Sequence, residues 1–414
     1  MESWALKPDA YVGHSVGEVG ACVLSGALSL EEGLRVVAAR SRLMREETSA
    51  RGGILLVTLS DGDVERVVQI SGGLAIAGYN SPSSVLLSGD VEAIRRAEDR
   101  FREHSIESHR VKVDVASHSP AMDPILDTLR QELRSLAPQL AQTPIRSTVR
   151  DTWLKGPECG PDHWAENLRR PVRFYQAIEA LAGEGASVFV ELSPHPILLE
   201  SIKQTLSKKK AEFWALASCW RDADERSSLL RTLAALYELG FDVDWSTVNG
   251  KASSRPLQRV RLGDIDESFH LAAPRSTEQR ESLPLLLSAK SAEALKGQAE
   301  RLREHVLAHQ DLTLVDLAYS LATTRTRFEH RAAIVADSHD GLLSALDALA
   351  QGRPAPGTTL GHARGEGKAA FLFTGQGSQR PATGRALYEA FPIFREALEP
   401  SAPISENSIS RCVR

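Results

Sequence analysis

Residues 13–17 read Gly-His-Ser-Val-Gly, a G-x-S-x-G spacing. That spacing can present a nucleophile. A serine on a strained strand-to-helix turn has its hydroxyl exposed, and the residues two positions to either side must be small for the turn to close. The following helix aims its N-terminus at Ser15, and the N–H of Val16 points where an oxyanion would form. The competing reading is a glycine-rich turn with an incidental serine; a strand before and a helix after weigh against it. A serine needs a base. His118, within Asp114-Val115-Ala116-Ser117-His118-Ser119-Pro120, stands at the exit of a predicted strand, where active-site loops begin. Of the 12 histidines, His14, His163 and His195 are rivals; the turn should swing His14 away from Ser15, and periodicity does not choose among the others. Arg40 is either a solvated helix residue or a guanidinium fork for a substrate carboxylate, a geometry lysine does not reproduce.

The elements that must hold these residues follow from residue periodicity. Residues 8–12 read as a short strand running into the Gly13 turn, and a helix through Ala21, Cys22 and Leu24 ends at Gly26. Residues 30–44 form a second helix, with Leu34, Val37, Ala38 and Ser41 at helical spacing. A strand at 53–59 precedes a helix at 61–68 with Asp61 as its N-cap. Strands at 74–79 and 84–88 are joined by Asn80-Ser81-Pro82-Ser83. An amphipathic helix at 90–104 and a strand at 108–115 complete a βαββαβ order, the ferredoxin-like split motif. Later come a helix at 175–182, a buried-type strand at 186–192 and a helix at 224–239 closed by Gly240. Residues 251–280 lose periodicity and read as a surface linker. A strand at 283–288, a helix capped by Ser291 and ending near residue 309, a helix at 314–323, a strand at 331–336 and a helix at 342–350 follow. Residues 351–367 read as a loop, and a buried-type strand at 369–373 runs into Thr374-Gly375-Gln376-Gly377-Ser378-Gln379. From about residue 400 the chain is Ser-rich and aperiodic, which predicts a disordered tail.

Composition excludes several classes. Forty-nine Lys and Arg against 54 Asp and Glu give a net charge of -5 over 414 residues, so there is no electrostatic case for nucleic-acid binding. No apolar run approaches the roughly 20 residues of a membrane span. Met1-Glu2-Ser3-Trp4 does not open a signal peptide. Cys22, Cys159, Cys219 and Cys412 form neither a metal spacing nor a disulfide framework. A cytoplasmic protein without a bound metal is expected.

Gly-His-Ser-Val-Gly-Glu at 13–18, Arg40 on the next helix, Asn80-Ser81-Pro82, Ser117-His118-Ser119-Pro120, Asn167 with Pro171-Val172-Arg173-Phe174, and Ser193-Pro194-His195-Pro196 occur in one order. That ensemble resembles the acyltransferase domain of modular type I polyketide synthases, related to malonyl-CoA:acyl-carrier-protein transacylases. The resemblance covers roughly residues 1–200. It implies an α/β fold: a hydrolase-like acyltransferase core whose N-terminal part is missing, a ferredoxin-like subdomain inserted at about 52–118, and a following α/β linker domain. Residues 201–250 resemble the post-acyltransferase linker. Residues 251–282 stay a linker, 283–367 resemble the domain joining ketosynthase to acyltransferase, 368–399 resemble the start of an acyltransferase, and 400–414 resemble nothing in the family.

The resemblance implies ping-pong acyl transfer. Ser15 would attack an acyl-CoA thioester with His118 as base. The N–H groups of Val16 and Gln376 would form the oxyanion hole, and Arg40 would pair with the carboxylate of a malonyl-type extender. The histidine of this family is held by backbone carbonyls, so an acidic third member is not required. The acceptor would be the phosphopantetheine thiol of an acyl carrier protein, with a ketosynthase domain as a further partner and no cofactor bound. The segment ending at the histidine sets the extender: Ser117 leaves room for an α-methyl and leans to methylmalonyl-CoA, while Val115 and Val16 depart from that pattern and leave malonyl-CoA open. A methyl's worth of space discriminates by only about 1–3 kcal/mol.

The order of the parts departs from the family. The Gly-Gln-Gly element that should open an acyltransferase stands at 375–377, after the linkers, and the family's intervening helices are missing. This reads as the back of one acyltransferase, a deleted ketosynthase and the front of the next. It predicts a poorly stable or inactive chain: close termini would let the strand at 369–373 fold back as in a circular permutant, but the helices that should cover that face are absent and an apolar surface would stay exposed. Two other readings compete: a serine esterase or thioesterase, which would send the acyl group to water and has no use for Arg40, and a non-catalytic docking piece. Ketosynthase, nucleotide-binding and carrier-protein motifs are absent from the sequence, which excludes condensation, reduction and carrier functions.

Overall fold

The computed structural model describes residues 1–47, 52–59, 63–207, 209, 211–248, 282–363, 365, 367–379 and 382–398. The predicted cap Asp61, the linker at 251–282 except residue 282, and the tail at 400–414 lie outside the described residues. The chain divides into two compact units, one of Pro8–Asp222 with Lys368–Arg414 and one of Met1–Lys7 with Ala223–Gly367.

The first of these units is built on a six-stranded sheet. Its strands run in the order Trp214–Ala217, Ala186–Leu192, Lys368–Phe373, Ala10–Gly13, Ile145–Arg146 and Trp153–Leu154. All neighbours are parallel except the last pair. The strand Lys368–Phe373 therefore does fold back. It lies in the middle of the sheet, with Tyr11 opposite Phe371 on one side and Phe371 opposite Val190 on the other. Its composition explains the position: Ala369, Ala370, Phe371 and Leu372 are buried, as a strand covered on both faces requires. Leu372 joins a core of Val12, Phe174, Ile178, Phe189 and Ile202, where each large apolar side chain contributes about 1.5–3 kcal/mol by burial. Some apolar side chains on the two helices after Ser15 stay uncovered, with Leu24, Leu30 and Val37 among the exposed residues.

The inserted subdomain has the βαββαβ order read from the sequence. Its sheet runs Ser108–Arg110, Gly52–Thr58, Ser84–Asp90, Ala75–Ser81, all antiparallel, and Val172–Arg173 adds a fifth, parallel strand. The helices Val64–Ser71 and Val91–Glu103 bury Val67, Ile94, Ala97 and Phe101 against Leu55, Val57, Val85 and Leu87. Two details differ from expectation. The first helix starts at Val64, and Asp63 caps it by accepting from the Arg66 N–H. The last strand stops at Arg110 rather than running to residue 115. The Val111 N–H still donates to Ile54, but Ala116 then crosses the start of the neighbouring strand so closely that a Cβ on Gly52 would lie 2.4 Å from its nitrogen.

The second unit carries a three-stranded antiparallel sheet in the order Leu283–Ala289, His330–Ala336, Thr358–His362. The helices Glu225–Leu239, Ala292–Ala308, Leu314–Thr323 and His339–Ala350 belong to it. Ser291 and Gly240 cap their helices as read from the sequence, Ser291 accepting from the Ala294 N–H; Asp224, read as the first residue of its helix, is instead the N-cap and accepts from the Ser227 N–H. Residues 351–367 are not all loop. Thr358–His362 pairs as a strand at the sheet's edge, and its half-exposed side chains and flanking Gly and Pro leave little pattern to read. The last helix begins at His339, three residues early, because Ser338 is its cap. No described helix is long and apolar enough to cross a membrane.

Candidate active site

Ser15 lies in the turn between the strand Ala10–Gly13 and the helix Gly17–Leu24 with a φ of 56°, in the left-handed region that a non-glycine residue occupies at a cost. Both flanking glycines are required by contact. A Cβ on Gly13 would fall 2.1 Å from the Glu18 nitrogen, and one on Gly17 would fall 2.2 Å from the carbonyl oxygen of Phe373. The second clash involves the strand that arrives from the far end of the chain. Within the turn, the N–H groups of Gly17, Glu18 and Val19 donate back to His14, Ser15 and Val16, which leaves Val16 at the head of the helix.

His118 is the histidine the fold brings to the serine. Ser15 Oγ lies 2.7 Å from His118 Nε2, and His118 Nδ1 lies 2.9 Å from the carbonyl oxygen of Arg170. A carbonyl only accepts, so Nδ1 carries the proton and Nε2 is left to accept from the hydroxyl. The His118 N–H donates to Leu168, and a φ of 60° places this residue too in the left-handed region. Burial first, and then the nearby Arg40, push the His118 pKa down to about 3, so the imidazole is neutral. The rival histidines are occupied elsewhere. His14 bonds Asn80 at 3.0 Å and packs against Phe174; His163 faces Glu18; His195 packs against Trp220.

Arg40 reaches the same point from the helix Leu30–Glu47. Its guanidinium donates to Ser15 Oγ at 3.2 Å and to Asn167 Oδ1 at 2.6 Å. Only 4% of it is exposed, and burial, offset in part by Glu18, lowers its pKa to about 10, so it stays charged at neutral pH. Asn167 Nδ2 donates to the Ser15 carbonyl oxygen at 3.0 Å and to Glu18 Oε2 at 2.8 Å. The Thr148 N–H donates to the other Glu18 oxygen at 2.7 Å. Burial would raise the Glu18 carboxyl, but His163, Ser147 and Asn167 outweigh it and hold the pKa below the ordinary value.

The remaining predicted positions divide. Val115 and Ser117 are buried beside His118, and the Ser119 hydroxyl fixes their loop by donating to Ala116 at 2.6 Å. Gln376 follows the strand Lys368–Phe373 but its side chain is exposed; its neighbour Gly375 makes the approach, within 3.4 Å of the Ser15 Cβ once a Cβ is built on it. Reasoning from residue types did not assign roles to Glu18, Asn167, His163 or the carbonyls of Leu168 and Arg170. The first two stand inside the quoted motifs, which was the available signal; backbone carbonyls leave none.

A model of the acyl transferase domain family matches residues 1–241, more than half of the chain, and a model of the CurL-like polyketide synthase C-terminal region matches residues 284–346. The spectinabilin polyketide synthase system protein NorA' of Streptomyces orinoci is 38% identical over 247 residues, which is 59% of this chain and 7% of that protein. The chain thus spans a small part of that relative's length. The acyltransferase domain from module 8 of the salinomycin polyketide synthase is 31% identical with a TM-score of 0.57, covering 59% of this chain and 58% of that one. The acyl transferase domain of SpnD, solved in complex with 2-(pent-4-yn-1-yl)malonyl, is 29% identical with a TM-score of 0.52, covering 57% of each chain. The chain belongs to the acyl transferase domain family of modular type I polyketide synthases, a family of transferases.

Proposed function

We propose that this chain transfers a malonyl-type group, methylmalonyl or malonyl, from CoA through an acyl-Ser15 ester to the phosphopantetheine thiol of an acyl carrier protein. The observation that carries the reading is the convergence of Ser15 Oγ, His118 Nε2 and the Arg40 guanidinium within hydrogen-bond distance. As Ser15 Oγ bonds to the thioester carbonyl carbon, its proton passes to His118 Nε2. The N–H groups of Val16 and Gln376 receive the developing oxyanion. When the C–S bond breaks, His118 returns the proton to the CoA sulfur. The carrier thiol then repeats the steps in reverse, and Ser15 regains its proton. Arg40 holds the free carboxylate of the acyl group, and a malonyl group bound to the related SpnD domain supports that class of substrate. Val115 and Ser117 line the side of the base and set the room for an α-substituent.

The division of labour along the chain follows the same reading. Residues 1–200 and 368–399 serve catalysis, while 201–250 and 283–367 act as linkers towards a ketosynthase partner in the cytoplasm. The test is intact mass of the purified 414-residue chain after malonyl-CoA or methylmalonyl-CoA, followed by addition of a phosphopantetheinylated carrier protein. A malonyl adduct that Ser15→Ala lacks and that moves to the carrier supports the proposal. Release of free acid without transfer points to an esterase, and carrier or ketosynthase binding without any adduct points to a docking piece.

A further inference from the structure

The buried Arg40 carries a charge that nothing in its own hydrogen bonds neutralises. Its two partners, Asn167 Oδ1 and Ser15 Oγ, are neutral acceptors, and among the described residues it forms no ion pair. A buried guanidinium without an anion is costly, and a carboxylate stands one residue away. Glu18 is fully buried and ionised, yet it does not reach Arg40, because Asn167 lies between them. The Asn167 amide can take only one orientation. Its Nδ2 faces two obligatory acceptors, the Ser15 carbonyl and the Glu18 carboxylate, so Oδ1 must face Arg40. Glu18 is in turn turned away from Arg40 by other partners. The Thr148 N–H takes one oxygen, and His163 Nε2 approaches the other at 3.3 Å, with both side chains fully buried.

We infer that Asn167 is a specificity-determining residue: as a neutral spacer between Arg40 and Glu18, it keeps the guanidinium charge available to the carboxylate of the incoming acyl group. The inference rests on the acyl transfer proposed above. It assigns selectivity to the neutrality of position 167 rather than to the bond this side chain makes. Two substitutions separate those possibilities. Asn167→Asp keeps the shape and places a carboxylate against Arg40 from within the protein. Asn167→Ala loses the bond and leaves a small cavity, but adds no charge. A structural role would make alanine the worse change and leave selectivity alike in both.

The experiment is single-turnover acylation of the full chain by malonyl-CoA and by acetyl-CoA at about pH 8, above the ordinary carboxyl range. The readout is the ratio of the two rates, with thermal melting run alongside. Asn167→Asp should lower the malonyl-to-acetyl ratio by about 30-fold or more, the effect of losing a buried charge pair, while still accepting acetyl groups. Asn167→Ala should slow both reactions and keep the ratio within about threefold. An unchanged ratio in Asn167→Asp, or a lost ratio in Asn167→Ala, overturns the inference. If Asn167→Asp does not fold, Asn167→Glu places the carboxylate instead: a ratio lowered to the same extent supports the inference, and an unchanged ratio overturns it. A wild-type chain that takes neither acyl group sinks the acyltransferase reading itself, which is a separate result.

Discussion

Glu18 and Glu238 are both buried glutamates, one in each unit, and they ionise in opposite directions. Burial pushes each carboxyl up. At Glu238 burial dominates, Thr359 and the Ala333 backbone offset it only in part, and the pKa rises to about 8. The Glu238 Oε1 has no hydrogen-bond partner among the described residues. At Glu18 the same penalty is outweighed by His163, Ser147 and Asn167, and the pKa falls. Desolvation is therefore common to both sites, and the wiring around each carboxylate decides its charge. The carboxylate kept ionised stands within the candidate active site, bonded to the Asn167 amide that also bonds Arg40. A neutral one under a helix that packs on a sheet edge, where a Cβ on Gly361 would meet Glu238 at 2.6 Å, serves packing.

The contrast can be broken most sharply at the chemistry. Ser15→Ala should abolish the acyl adduct and His118→Ala should slow its formation about 10²–10⁴-fold. Glu238→Gln should leave both adduct and rate unchanged, measured by intact mass after malonyl-CoA. Next in size is stability. Glu18→Ala strands the Thr148 N–H, the Asn167 amide and His163 together, and should cost about 3–5 kcal/mol. In Glu238→Gln at neutral pH the cost should stay under about 1 kcal/mol, since an amide replaces a neutral carboxyl. Hydrogen exchange read separately over 8–222 and 223–367 tells the two apart; equal losses would remove the distinction. Leu372→Ala tests whether the late strand is a true core member of the unit that holds Ser15, with an expected loss of about 2–5 kcal/mol confined to that unit.

Two pH effects refine the comparison. The folded pKa of Glu238 lies above its ordinary 4.5, so its contribution is fully present below about 4.5 and is lost as pH rises through about 8. The unit of 223–367 should weaken in thermal melts as pH rises from about 5 to about 8, and Glu238→Gln should flatten that slope. His118 is depressed from 6.5 to about 3, so the neutral base persists as pH falls through the usual histidine range. The pH profile of kcat/KM for acylation should accordingly stay level from about 7.5 down to about 5. A loss of rate centred near the unperturbed histidine value would show that His118 is not buried as described.

The local elements were legible because they depend on short-range pattern. The G-x-S-x-G turn, the βαββαβ order and the caps Gly240 and Ser291 each involve residues close in sequence. What was hidden either lacks a pattern or spans distance. The edge strand Thr358–His362 has half-exposed side chains between Gly and Pro, so it reads as loop. The shortened strand Ser108–Arg110 stops where Ala116 crosses Gly52, a contact that alternation alone does not foretell.

By itself, then, the sequence determined the nucleophile's turn, the order of the elements and the set of residues able to act as base or cation. Tertiary structure decided which of them meet. It chose His118 over His14, His163 and His195 by setting it 2.7 Å from Ser15 across 103 residues. It placed Lys368–Phe373 between Ala10–Gly13 and Ala186–Leu192, where buried backbone groups need partners on both sides. It also set the Asn167 amide between the Arg40 guanidinium and the Glu18 carboxylate. Hydrogen bonds and burial act over a few ångströms in space whatever the distance along the chain, so only the fold could make those choices.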